Sequence, residues 1–267
     1  MFESTDPRSS LPDSAGATVT PAVDATIVEF GARLPDHEDG TSRTWKGASQ
    51  RLTFAYTRFF PPGGTVHVAG EAAEHLVLVL GSAIRVESGA EVVDVPAGSI
   101  VIVPAGDSRI TTEGPTQLLR VFSRHDGLPG SADIRHYRLE VPPETGRFGR
   151  IYTGANIMVN VMYPTEGPRD TNHLSPHSHD SFEQCSVTLD GEFVHHLRWP
   201  WKERLVDWRE DLHRAVSSPS LTVIPAGVIH TTRAVGDGSH LLIDVFSPPR
   251  EDFAAMPGWV LNAARDD

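Results

Sequence analysis

The chain has 267 residues, with 23 lysines and arginines against 35 aspartates and glutamates, and one cysteine. The formal charge of −12 argues against the basic surfaces that nucleic acids and anionic membranes require. A single cysteine excludes an internal disulfide, and no run of 18 apolar residues offers a membrane span, so a cytoplasmic protein is expected.

Residues 1–24 are rich in Ser, Pro and Asp and lack the apolar segment of a signal peptide. They are expected to form a flexible N-terminal arm. From Arg51 onward the chain reads as short strands: RLTFAYTRFF at 51–60, HLVLVLG at 75–81, AIRVE at 83–87, SIVIVPAG at 99–106 and QLLRVFS at 117–123. Gly and Pro turns such as Pro61-Pro62-Gly63-Gly64 punctuate them. The pattern then returns as NIMVNVMYP at 156–164, QCSVTLDG at 184–191, EFVHHLRW at 192–199, SLTVIPAG at 220–227 and HLLIDVFS at 240–247. Gly81 answers Gly191, Pro104-Ala105-Gly106 answers Pro225-Ala226-Gly227, and Val121-Phe122-Ser123 answers Val245-Phe246-Ser247, which marks an internal duplication.

The expected architecture is all-β, two sandwiches or barrels in tandem. Residues 25–135 would form the first domain, 136–247 the second, and 248–267 a C-terminal packing tail carrying Phe253, Met256, Trp259, Val260 and Leu261. That apolar tail would cover a domain or subunit face, which leaves room for a homodimer. Gly81 to Pro104 spans 23 residues, but Gly191 to Pro225 spans 34. The surplus carries 200–215, where Leu205, Trp208 and Leu212 recur at intervals of three and four. This spacing predicts a short amphipathic helix, either packed on the surface or lying as a lid over a site.

The polar chemistry collects in HSHDSFEQCSVTLDG at 177–191. His177 and His179 lie two apart, so on a strand both would face one side. His230 follows 51 residues after His179, just past a Pro-Ala-Gly turn. Three imidazoles with one amide or carboxylate oxygen suit a divalent transition metal such as Fe, Ni, Cu or Zn. Two counts compete for the oxygen donor. Six residues back from Gly191 selects Gln184, and three forward from His179 selects Glu183. Strand alternation allows only one to face inward, and the register with Gly191 favours Gln184.

These residues resemble the cupin superfamily, and more closely its two-domain members, the bicupins. The first cupin motif has the form G-x5-H-x-H-x3,4-E-x6-G. His177, His179, Gln184 and Gly191 fit its spacing, with Thr171 in place of the leading glycine. Of the second motif, G-x5-P-x-G-x2-H-x3-N, Pro225, Gly227 and His230 match, while Ser220 and Ala234 replace its glycine and asparagine. The resemblance covers roughly 51–124 and 155–247. It implies tandem cupin (double-stranded β-helix, jelly-roll) barrels, with the metal in the second. It further implies a metal-dependent enzyme, an Fe(II) dioxygenase acting on a small organic acid or oxygenated metabolite. The alternatives are a redox-neutral isomerase, decarboxylase or lyase, and a non-catalytic small-molecule-binding protein. One metal per chain is expected, with Fe(II) first and Mn, Ni, Cu or Zn as substitutes.

Carrying the register into the first half aligns His67 with His177, Ala69 with His179, Glu74 with Gln184 and Arg109 with His230. A His and a Glu alone make a poor transition-metal site, so the first domain is expected to be metal-free. Glu183, His195 and Tyr163 are the candidate catalytic acid–base groups. Arg198 and Asn160 are the candidate substrate anchors. Cys185, in an apolar strand, reads as buried and inert.

Overall fold

The computed structural model describes residues 23–124, 128 and 130–263. The expected flexible arm lies outside the described residues as far as residue 22. Its last two residues are tied down: Trp199 Nε1 donates to the Val23 carbonyl at 2.9 Å, and Arg209 pairs with Asp24 at 2.9 Å. Among the described residues no helix is long and apolar enough to cross a membrane.

Among the described residues the architecture is β throughout, with one short α-helix at Glu251–Ala254. Four antiparallel sheets form two facing pairs, rather than two continuous closed ladders. In the first half a seven-stranded sheet runs in the order Arg135–Arg138, Ser99–Val103, His75–Val79, Gln117–Ser123, Leu52–Phe59, Ser42–Ala48, His37–Glu38. It faces a four-stranded sheet ordered Gly64–Glu71, Gly106–Thr112, Ile84–Ser88, Glu91–Val95. In the second half the larger sheet runs Thr26–Glu29, Ser220–Ile224, Gln184–Asp190, Ser239–Phe246, Met158–Met162, Gly149–Thr153, and Thr165–Glu166 adds to Ser239–Phe246. Its partner sheet is Leu212–Ser217, Glu192–Arg198, Ile229–Val235.

Alternation along the central strands explains why they are apolar on both sides. In His75–Val79, Leu76 and Leu78 enter one hydrophobic cluster, while Val77 and Val79 enter another. Ile100 and Ile102 divide from Val101 and Val103 in the same way. The first cluster also contains Cys185, Val187, Leu221, Val223, Ile243 and Val245, so it lies between the two seven-stranded sheets and joins the halves. A fully buried Val, Leu or Ile contributes about 1.5–3 kcal/mol, which makes this shared layer a large part of the molecule's stability.

The inward faces differ. The first half fills its interior with Val77, Val79, Val101, Val103, Ile110 and Leu118. The second half turns Gln184, Ser186, Thr188, Ser220, Thr222, Asn160 and Asp244 inward, all buried. A core strand with alternate polar residues is therefore the local signature of the site. Gly191 ends the strand in a left-handed conformation (φ 80°), and a Cβ there would come within 2.7 Å of the Ser239 carbonyl, so glycine is required.

Three expectations are corrected or refined. Residues 200–215 contain no α-helix. They form one 3₁₀ turn at Leu205–Asp207 and then the strand Leu212–Ser217, which pairs with Glu192–Arg198. Leu205 is 75% exposed, while Trp201 and Trp208 stack on each other at 4.5 Å. The three-and-four spacing therefore does not mark a common buried face. Next, strand Thr26–Glu29 belongs to the larger sheet of the second half, and the 135/136 division falls inside Arg135–Arg138, which pairs with Ser99–Val103. Finally, the C-terminal segment packs through Phe253, Trp259 and Val260 on Ile151, Met158 and Phe246.

Candidate metal centre

His177 and His230 face each other in an isolated antiparallel bridge, exchanging backbone hydrogen bonds of 3.1 and 2.8 Å. The Gly227 N–H donates to the His179 carbonyl at 2.8 Å. The Pro-Ala-Gly turn thus clamps the His-x-His segment alongside His230. The ring centroids lie 4.5 to 5.4 Å apart, and the ligand atoms lie within 4.8 Å of one another.

The tautomers follow from the hydrogen bonds. His177 Nδ1 donates to the Ser175 carbonyl and His230 Nδ1 to the Val228 carbonyl, both at 2.9 Å. A carbonyl only accepts, so Nδ1 carries the proton and Nε2 offers a lone pair. The Nε2 of His230 is buried with no partner. Burial, with a smaller contribution from Arg250, pushes His179 down to about 4, and burial likewise pushes His230 down to about 4. Both rings are neutral near pH 7, the form that ligates a metal.

Gln184 faces this cluster, and its amide orientation is determined. Nε2 donates to Asp244 Oδ1 at 3.0 Å and to Ser186 Oγ at 3.2 Å, which turns Oε1 to accept from His179 Nε2–H at 2.9 Å, a proton that an ion bound between the two would displace. The donor set is therefore three imidazoles and one neutral amide oxygen, and an orphaned buried nitrogen among them fits a divalent transition ion. Glu183 faces the other way. Its carboxylate accepts the N–H groups of Gln50 at 3.2 Å and Arg51 at 2.9 Å, on the contact between the halves. It is not a group of the site, because strand alternation sends the two neighbours to opposite faces.

The histidines open on a cavity of about 880 Å³, which is also lined by Asn160, Tyr163, Arg169, Asp244, Phe246, Arg250 and Phe253. Asn160 is buried, and its Nδ2 points to Met162 Sδ at 3.6 Å. The Tyr163 hydroxyl donates to the Pro142 carbonyl at 3.2 Å. His195 is buried but does not line the cavity; it meets Thr232 Oγ1 at 2.8 Å, and its Nε2 has no partner. Burial, with His230 nearby, pushes it down to about 4. Arg198 lies on the exposed face of its strand, held by Asp211 at 2.6 Å, so it anchors nothing in the cavity. No residue of 200–215 lines the cavity, so that segment is not a lid over this opening.

Two groups escaped the sequence reading. Asp244 is buried, accepts from Ser186 Oγ and Gln184, and is pushed up to about 6 by burial. The only trace in sequence is one acid in the apolar run HLLIDVF, in step with Leu242 and Phe246. Arg250 pairs with Asp252 at 2.6 Å and sits 3.7 Å from the Phe253 ring centroid and 5.0 Å from that of Phe246, a cation–π cradle at the cavity wall.

The first-half counterparts do not converge. His67 is exposed, Arg109 reaches out to Glu87 at 3.7 Å, and Glu74 binds Arg135 and the Ser131 N–H on the contact between halves. The register explains the misalignment. His75 pairs with Val103 as Gln184 pairs with Ile224, each just before Pro-Ala-Gly, so His75, not Glu74, takes the place of Gln184.

This architecture has counterparts among solved structures. AerE from Microcystis aeruginosa is 12% identical over 86% of this chain and 98% of its own, with a TM-score of 0.60. The Bacillus subtilis oxalate decarboxylase is 14% identical over 92% and 84%, with a TM-score of 0.62. The Lactobacillus farciminis oxalate decarboxylase–formate complex is 14% identical over 92% and 96%, with a TM-score of 0.59. No family model and no curated protein matches the chain. At these identities the likeness is one of fold, and it agrees with the His-x-His and Pro-x-Gly-x-x-His elements: the chain has the two-domain cupin fold, with a cluster of three histidines placed so that they could hold a metal ion.

Proposed function

We propose that the chain is a metal-dependent enzyme that performs a redox-neutral reaction, a decarboxylation or isomerisation, on a small organic acid. The observation that carries this reading is the convergence of His177, His179, His230 and Gln184 on a cavity that also holds Asp244 and Arg250. A divalent ion held by those four residues supplies Lewis-acid polarisation of a bound carboxylate or carbonyl. Arg250, which unlike Arg198 lines the cavity, is oriented by its pair with Asp252 and is the cation that would orient the substrate carboxylate. Asp244, whose carboxyl protonates near neutrality, holds a proton beside the cavity and can exchange it with substrate. Phe246 and Phe253 keep bulk water from the reacting atoms.

The Fe(II) dioxygenase expected from the sequence is less well supported. The similar structures include oxalate decarboxylases, one described through its Mn(II) centres, and this cavity presents a group for proton transfer. Mn(II) is therefore the first ion to test, with Fe(II) second. The protein stripped and reloaded with each ion is assayed on a panel of small mono- and dicarboxylic acids, following CO₂ release, substrate proton exchange and O₂ uptake. CO₂ release or isomerisation without O₂ consumption is expected. Substrate-dependent O₂ uptake matching turnover overturns the reading. His230→Ala should lower bound metal from about one equivalent to near zero.

A further inference from the structure

The valine-walled interior of the first half is broken by several buried polar residues, two of them with ionisable side chains. Arg120 is 7% exposed and His75 1% exposed. Arg120 Nη2 donates to Thr57 Oγ1 at 3.0 Å, and Thr57 in turn meets Thr44 Oγ1 at 2.9 Å. Among the described residues Arg120 Nε has no partner, and neither ring nitrogen of His75 has one. Glu71 is the carboxylate whose charge reaches Arg120, yet the two form no ion pair among the described residues. A guanidinium is always charged, and leaving it buried without a counter-charge is costly.

The two side chains share a face. Leu76 pairs with Val121 and Val77 with Arg120, so His75 and Arg120 are diagonal neighbours on adjacent strands, within reach of long side chains. Gln184 and Asp244 hold the same diagonal in the second half, where Cys185 pairs with Val245 and Ser186 with Asp244. The duplication has thus replaced an amide and a carboxylate by an imidazole and a guanidinium. The position that is acidic beside a cation-binding cluster in one half is cationic in the other.

We propose that the interior of the first half binds a small monovalent anion, a halide or a one-carbon carboxylate, between Arg120 and His75. The anion accepts from Arg120 Nε–H and from the single N–H of the neutral His75 ring. Phe122 stacks on the face of that ring at 4.9 Å, which leaves its N–H edge for the ligand. Thr57 holds the other arm of the guanidinium, so the fork is oriented before the anion arrives.

Crystals of the full chain grown in sodium bromide test this directly, with an anomalous peak expected between the Arg120 guanidinium and the His75 ring. Bromide found only elsewhere, with the Glu71 carboxylate turned onto Arg120, overturns the proposal. In parallel, thermal unfolding is followed while chloride or formate replaces gluconate at constant ionic strength. A saturating rise in Tm is expected, and the ion with the lower half-saturating concentration is the preferred class. Arg120→Met should abolish the rise and leave the metal stoichiometry of the second half unchanged; a full rise in that variant overturns the proposal. Should Arg120→Met not fold, His75→Phe makes the same comparison, with a weakened rise expected and an unaltered one contrary.

Discussion

At the residue scale, neighbouring side chains of strand Gln184–Asp190 and the residue before it have unlike tasks. Gln184 aims its oxygen at His179, whereas Glu183 holds two backbone N–H groups at the contact between halves. Gln184→Ala should reduce metal affinity at least tenfold by equilibrium dialysis. Glu183→Ala should leave that affinity unchanged and lower stability by about 1 kcal/mol in urea titration, the cost of the lost hydrogen bonds to Gln50 and Arg51. Loss of metal in Glu183→Ala would contradict the register. Asp244 carries a pH prediction for the metal-free protein. Its carboxyl is pushed up from 3.8 to about 6 by burial, so the folded state binds this proton more tightly than the unfolded state. The associated stability is fully present below pH 3.8 and is lost as the pH rises through about 6. Asp244→Asn should remove that decline, and parallel Tm–pH curves for the two proteins would refute it. The histidines and Gln184 were legible in the sequence because motif spacing and strand alternation both act locally. Asp244 was not, because its partners Gln184 and Ser186 arrive from a strand about 60 residues away.

At the element scale, the strands announced themselves through runs such as SIVIV and HLVLV, which are buried on both faces. The 200–215 segment misled because periodicity signals a helix only when the repeated residues share a buried face. Leu205 and Trp201 are each 75% exposed, whereas Leu212 opens a strand whose Val216 packs with Phe193, Ala234 and Leu242. The two parts should therefore respond differently to change. Replacing 201–208 by an Asn-Gly turn should keep about one equivalent of metal, since nothing in that stretch lines the cavity. Val216→Asp, which places an unpaired charge in a core cluster, should destabilise by about 3 kcal/mol or more and loosen the cavity wall formed by Phe193 and Ala234. Guanidinium unfolding with metal quantification separates the outcomes; metal loss on shortening 201–208 would show that the turn supports the site indirectly.

At the scale of the whole molecule, two sandwiches press their seven-stranded sheets together, and the N-terminal strand crosses from the first to the second. Thr26–Glu29, which precedes every strand of the first half, completes the second half by pairing with Ser220–Ile224. The sequence duplication is visible, but this crossing is not, since a four-residue strand carries no mark of which edge it will cover. The consequence is that the half with the histidine cluster is not self-sufficient. A fragment of residues 136–267 loses the cover over Ser220–Ile224, a buried strand that becomes an open edge, and exposes the face containing Cys185, Val187, Leu221 and Val245. Open edges and large apolar faces drive association. The fragment should elute as aggregate in size-exclusion chromatography and bind well under one equivalent of metal. Supplying residues 23–135 by co-expression should restore a discrete species with about one equivalent. A monomeric 136–267 fragment that binds metal as tightly as the full chain would show that the strand crossing and the shared core are dispensable to the site.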